Sequence, residues 1–179
     1  MIPIKILSQK PILQADLFSV VETTLDIKGK TVLHKNIYRP PIVSIFPLTD
    51  DGQIYLIKQY RYLHGETFLE EIAGHVDDGE EPLAAAKREL QEEAGMTAGK
   101  WKQLGVFSGT SSVIKTAITL FTARDLILGK PSPEEDEEIE VVKMSLEEAV
   151  ESVLQGKIKN SVASLGIMML GAMKENGTL

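Results

Sequence analysis

Four charged residues, Arg88, Glu89, Glu92 and Glu93, have the types and spacing of a metal-binding site on a helix. Glu89 and Glu93 are four residues apart, so they would stack on one side of a helix, where like charges repel. They also crowd the C-terminal end, where the helix dipole disfavours anions. A divalent cation such as Mg²⁺, which takes oxygen ligands, would turn this repulsion into coordination. Arg88 would pair with Glu92 and steady the cluster; the alternative for a Glu-rich run is a solvated surface helix.

The helix that carries these residues is marked at both ends. Glu80 and Pro82 favour its N-terminus, and Gly95 is a natural stop. An apolar stripe at helical spacing is predicted to face the core; it consists of Leu83, Ala86, Leu90 and Ala94. Upstream, Gly74 and Gly79 flank two aspartates and predict a loop.

The loop and helix together form one long pattern with many fixed positions. A glycine is followed after five residues by Glu, after seven more by Arg-Glu, and then by an apolar residue, Glu-Glu, Gly and a final apolar residue. This pattern resembles the Nudix box at every defining position: Gly74, Glu80, Arg88, Glu89, Leu90, Glu92, Glu93, Gly95 and Met96.

The resemblance implies an α/β fold, a Nudix-type α/β/α sandwich with a mixed sheet. It also implies a hydrolase that cleaves a nucleoside diphosphate linked to another group and that uses Mg²⁺, with Mn²⁺ as a substitute. The metal would be held by Glu89, Glu92, Glu93 and the Ala73 carbonyl, and it would acidify the attacking water. The resemblance also makes Arg88 a catalytic residue.

Two segments before the helix, residues 50–62 and 68–74, resemble the ADP-ribose pyrophosphatase branch of the family. That resemblance implies hydrolysis of ADP-ribose to AMP and ribose 5-phosphate. Residues 1–40 show strand patterns with a turn at Lys28-Gly29-Lys30, and Pro40-Pro41 marks the boundary to the hydrolase domain, residues 41–179. In this branch an N-terminal antiparallel sheet of this kind helps to build a homodimer, so the same is expected here.

Arg61, Arg39 and Ser108 are the candidate substrate-binding residues. Arg61 follows a predicted strand, and its guanidinium suits a phosphate; the alternative is a surface ion pair. Arg39 would reach a site across a dimer or lie on the surface. Ser108 opens the segment 108–115, which departs from the branch because it lacks proline and ends in Lys115 rather than an acid. That segment is otherwise an ordinary connection between strands.

An acidic run, Glu134 to Glu138, precedes the predicted strand that begins at Ile139. In this family the corresponding loop carries the general base or a further metal ligand. On that basis Glu135 is the predicted base and Glu137 the supporting metal contact. The alternative for such a run is a solvated loop.

Composition limits the remaining possibilities. The net charge of −7 argues against nucleic acid as a partner, and the absence of cysteine rules out thiol chemistry and disulfides. No apolar run approaches the roughly 20 residues of a membrane span, and the N-terminal residues lack a signal-peptide pattern, so a cytoplasmic enzyme is expected. Three alternatives stay open: hydrolysis of another nucleotide sugar or a dinucleotide, a non-catalytic nucleotide-binding domain, and a structural helix in an unrelated protein.

Overall fold

The computed structural model describes residues 3–132 and 138–179. Those residues contain eleven strands and three helices, which confirms the predicted α/β class. No helix in this part of the chain is long and apolar enough to cross a membrane. In chain order the elements are β1 (Ile4–Gln14), β2 (Ser19–Ile27), β3 (Lys30–Tyr38), β4 (Ile42–Pro47), β5 (Gln53–Arg61), β6 (Glu66–Glu70), β7 (Ile72–His75), α1 (Pro82–Ala94), β8 (Met96–Phe107), β9 (Ile114–Lys115), β10 (Ile118–Leu128), β11 (Ile139–Ser145), α2 (Leu146–Leu154) and α3 (Ser161–Glu175).

The first of two compact units comprises Met1–Pro41 and Phe107–Ile118. Its sheet has the order β1-β2-β3-β9. β1, β2 and β3 are antiparallel neighbours, whereas β9 runs parallel to β3 and pairs Ile114 with Ile37. The segment 108–115 is therefore more than a connection, because it supplies a strand to this sheet. Local sequence did not reveal that strand, since it is two residues long and its partner lies far away in the chain.

The second unit, Ile42–Val106 and Thr119–Leu179, contains the remaining sheets and all three helices of the described residues. One sheet has the order β7-β4-β10-β8 and the other β11-β5-β6. Successive residues of β4 point to opposite faces: Ile45 belongs to the core cluster that includes Leu90 of α1, and Phe46 packs against Gly166 of α3. Helices therefore cover both faces of this sheet, as the predicted sandwich requires.

Helix α1 begins and ends where the sequence predicted. Pro82 occupies its first turn, and Gly95 adopts the left-handed conformation with φ of 63° and donates to Gln91. One member of the predicted apolar stripe is wrong, because Leu83 is 37% exposed whereas Ala85 is fully buried. Periodicity defines the face of a helix, but it does not tell which turns of that face are covered.

The structure corrects one prediction about the segment before α1. Gly74 lies in strand β7 and pairs with Val43 of β4, so the prediction of a loop at Gly74 is wrong.

Helix α2 begins with a capping box. The Ser145 hydroxyl accepts from the Glu148 N–H, and the Glu148 carboxylate accepts from the Ser145 N–H.

Candidate active site

Arg88 is the centre of the charged cluster on α1. Its Nη1 donates to Glu89 at 2.6 Å and to Glu92 at 3.0 Å, and its Nη2 donates to the His75 carbonyl at 3.0 Å. Glu80 accepts from both Nε and Nη2. The hydrogen bond that Arg88 donates to Glu80 raises the pKa of Arg88, and the same bond lowers the pKa of Glu80. The predicted pairing of Arg88 with Glu92 is confirmed, and Arg88 also ties the loop before the helix to the helix itself.

Glu89 and Glu93 lie on the side of α1 that packs against β7. Glu93 is only 5% exposed, and its Oε2 accepts from the Ala73 N–H at 3.0 Å. The Glu89 carboxylate lies against Gly74, where an added Cβ would fall 1.9 Å from the carboxylate carbon. A solvated surface helix would leave such side chains in water, so the structure does not agree with that alternative.

The donor set at this contact is suited to Mg²⁺. The described residues hold no group of three or more His, Asp or Glu side chains arranged to bind a metal ion, and Glu92 pairs with Arg88. Mg²⁺ does not need such a group, because it is usually held by one or two carboxylates together with waters and substrate phosphate. Glu89, Glu93 and the backbone at Ala73 offer oxygen ligands of that kind where the helix meets the strand.

Arg61, the predicted phosphate contact, lies at the end of β5 and pairs with a buried acid. Its Nε donates to Glu70 at 2.7 Å, and Glu70 is 3% exposed. The other Glu70 oxygen accepts from Asn160 at 2.7 Å. Arg61 therefore forms an ion pair, as the alternative predicts, although its partner is in the interior; its phosphate contact stays a prediction. Sequence analysis missed Glu70 and its neighbour Glu71, although two acids directly before the apolar residues of β7 were a visible signal.

Glu71 lies beside Glu70 but in a different environment. It is 5% exposed, and its Oε1 accepts from the Ser44 hydroxyl at 3.2 Å. Its Oε2 has no hydrogen-bond partner within the residues described. Burial raises the pKa of Glu71 to about 7, and the charge of Glu70 adds to the shift. This carboxyl therefore costs stability whenever it is ionised.

The other four predicted site residues are Arg39, Ser108, Glu135 and Glu137. Arg39 and Ser108 belong to the first unit, where the Arg39 N–H donates to the Lys115 carbonyl at 3.0 Å. Ser108 lines a cavity of about 400 Å³ whose wall includes Tyr38 and Lys115. Glu135 and Glu137 lie outside the described residues. The roles of these four residues stay predictions.

Comparison with known proteins bears on the box directly. The family model for the NUDIX domain matches residues 38–164, which is well over half of the chain and includes all of the residues around Arg88 described above. The chain belongs to the Nudix family. The resemblance predicted from the box is thereby confirmed, and with it a Nudix hydrolase as the class of enzyme; hydrolases of this family generally use divalent metal ions.

Relatives of this Nudix hydrolase extend over nearly its whole length. It is 30% identical over 174 residues to an ADP-ribose pyrophosphatase of Bacillus subtilis (strain 168), covering 93% of this chain and 94% of the relative. It is 26% identical to a methanol dehydrogenase activator of Bacillus methanolicus, with the same coverage. A crystal structure of an ADP compounds hydrolase shares the fold, with a TM-score of 0.82 at 22% identity and coverage of 98% and 97%.

The contact between Gly74 and Glu89 can be tested by adding one methyl group. Gly74→Ala is expected to displace the Glu89 carboxylate, because the new Cβ would lie 1.9 Å from it. Displacement of a catalytic group by about 1 Å can lower activity roughly a hundredfold. The matched control is Gly99→Ala in β8 of the same sheet, where the nearest side-chain atom would be 3.2 Å away. Equal hydrolysis rates for both variants would contradict the assignment.

Burial of Glu71 makes stability depend on pH. Because its pKa of about 7 in the folded protein lies above the 4.5 of an unperturbed glutamate, the free energy of unfolding is expected to fall as pH rises from about 4.5 to about 7. The loss would be about 3 kcal/mol by linkage. Denaturant titrations of wild type and Glu71→Gln from pH 5 to pH 8 measure it, since other titrating groups cancel in the difference. Parallel curves for the two proteins would show that Glu71 has no such cost.

Proposed function

We propose that this Nudix hydrolase cleaves the diphosphate bond of a nucleoside diphosphate linked to another group in the presence of Mg²⁺. Its substrate is ADP-ribose, and the products are AMP and ribose 5-phosphate. The observation that carries the proposal is the burial of Glu93 and Glu89 where α1 meets β7. The relative from Bacillus subtilis, an ADP-ribose pyrophosphatase, supports the choice of substrate.

The residues of the box have different roles in the proposed reaction. Mg²⁺ would be held by Glu89, Glu92, Glu93 and the Ala73 carbonyl, and when bound it would neutralise phosphate charge and lower the pKa of water. Arg88 holds Glu89 and Glu92 in place through its Nη1. The attacking water forms a new bond to one phosphorus while the bridging P–O bond breaks, and the bridging oxygen leaves with the second phosphate.

Three other groups act on substrate or water in this proposal. Arg61 binds a substrate phosphate through its terminal nitrogens, a contact suited to the planar guanidinium. Glu135 takes the proton of the attacking water, with Glu137 as a further metal contact. Arg39 and Ser108 are the further candidate contacts to the substrate. A cytoplasmic location also stays a prediction from the sequence.

The metal assignment is tested by one isosteric change. Glu93→Gln keeps the size of the side chain but removes its charge, so hydrolysis of ADP-ribose with Mg²⁺ is expected to fall about a thousandfold, as for the loss of several kcal/mol. Glu147→Gln on α2 is the matched control, since that exposed acid pairs with Lys174 and lies outside the box. Equal rates for wild type and Glu93→Gln would refute the assignment, and tight binding without turnover in wild type would favour a non-catalytic domain.

A second candidate substrate is favoured by the segment 108–115, which departs from the ADP-ribose pyrophosphatase pattern and contributes β9. In that case the same diphosphate chemistry acts on another nucleotide sugar or a dinucleotide. A panel of nucleoside diphosphate derivatives with identification of the products separates the candidates. ADP-ribose is the substrate if its kcat/KM exceeds that of every other compound in the panel.

We also propose that the enzyme is a homodimer formed through the N-terminal sheet. β1 lies at the edge of that sheet and is exposed along its length, including its apolar residues Ile6 and Leu13. An exposed apolar edge strand is a surface that other chains can pair with. Sedimentation should give twice the mass of one chain for wild type and a shift towards the monomer for Ile6→Glu. Leu154→Glu, at an exposed apolar site on α2, should leave the mass unchanged; a monomeric wild type would contradict the proposal.

A further inference from the structure

Glu70 is a buried carboxylate with a partner on each oxygen. Oε2 accepts from Arg61 Nε, and Oε1 accepts from Asn160 Nδ2, both at 2.7 Å. A buried charge is tolerated when it is paired and hydrogen-bonded, and charge-assisted bonds of this length are among the stronger ones in proteins. Glu70 therefore has one preferred orientation, which is set jointly by the arginine and the amide.

The bond to Glu70 leaves most of the Arg61 guanidinium available. Among residues 3–132 and 138–179, the Arg61 side chain donates one hydrogen bond, from Nε. The side chain is 44% exposed. The two terminal nitrogens can thus donate to another group, and they have the fork geometry that suits a phosphate. Because Nε is fixed to the interior, the plane of the guanidinium is fixed as well.

Asn160 in turn fixes Glu70. Its Oδ1 accepts from the N–H groups of Val162 at 2.8 Å and Ala163 at 3.1 Å, which makes it the N-cap of α3. These two bonds set the orientation of the amide group, so Nδ2 is directed to Glu70. The N-terminus of α3 therefore reaches Arg61 through a continuous chain of two side-chain hydrogen bonds.

We propose that Glu70 and Asn160 are positioning residues that hold Arg61 in the orientation that binds the substrate phosphate. The proposal rests on the proposed function, because it assigns a purpose to the phosphate contact of Arg61. Neither residue touches substrate. They restrict the orientation of the arginine side chain before substrate binds, so less conformational freedom is lost on binding. This effect is preorganisation of a binding group.

Asn160→Ser separates positioning from folding. Serine is a favourable N-cap, so α3 should keep its start and the protein its melting temperature, while the donor to Glu70 is lost. KM is expected to rise about tenfold, which corresponds to the free energy of one charge-assisted hydrogen bond. The value of kcat should stay within about twofold of wild type. Glu70→Gln should act in the same direction. In the background Arg61→Lys, Asn160→Ser should add nothing further, since coupled residues are not additive.

Lys159 provides the matched control. It is the neighbour of Asn160, and its Nζ pairs with Glu66 of β6 at 2.5 Å, so it ties the same two segments together without contacting Glu70 or Arg61. Lys159→Ala should therefore leave KM unchanged. A KM for Lys159→Ala as high as that for Asn160→Ser would overturn the proposal, because the effect would then come from docking of α3 in general.

A measurement on Arg61 itself does not depend on activity. The sequence has four arginines, so the Arg61 Nε–H signal can be assigned by NMR from the spectrum of Arg61→Lys. Its hydrogen exchange should be slow in wild type and in Lys159→Ala and at least tenfold faster in Asn160→Ser. Either of two results for Asn160→Ser overturns the positioning role alone. One is unchanged hydrogen exchange at the Arg61 Nε–H, and the other is normal ADP-ribose turnover with an unchanged KM. Absence of turnover in wild type, with exchange as expected, would refute the proposed function instead.

Discussion

The hydrogen bonds of Arg88 join the acidic residues of α1 to one another and to the loop before the helix. Glu89, Glu92 and Glu93 place three negative charges on the last two turns of one helix, against both mutual repulsion and the helix dipole. Arg88 binds two of these acids directly and binds Glu80 as well. It thereby offsets the local repulsion, while Glu93 accepts from the backbone of β7.

The residues before and after α1 give its acidic side chains the space and the backbone contacts that the helix alone does not provide. β7 brings the backbone at Ala73 and Gly74 against α1, and only a residue without a side chain leaves room for Glu89 there. Gly95 ends the helix directly after the acidic cluster by adopting a left-handed conformation. Two glycines at fixed distances from the acids are therefore required: Gly74 for close approach, and Gly95 both for its backbone conformation and because an added Cβ would lie 2.3 Å from the Pro131 nitrogen.

The sequence was sufficient for features that depend on neighbouring residues. The start and end of α1, the pairing of Arg88 with Glu92 and the cap of α2 at Ser145 all follow from spacing and residue type. The features it missed depend on residues far apart in the chain: Gly74 is in a strand because of its pairing with Val43, and β9 exists because of β3. Glu135, outside the described residues, stays a prediction from the family resemblance.

Glu70 and Glu71 show why burial by itself does not identify a functional acid. The two are adjacent and almost equally inaccessible, yet Glu70 binds a cation and an amide whereas Glu71 accepts one bond from a hydroxyl. The first arrangement defines the orientation of the arginine and the amide that bind Glu70. The second favours the protonated acid and orients no charged group. The assignment of Glu70 to the phosphate contact therefore follows from what its oxygens bind, and Glu71 is set apart by the same criterion.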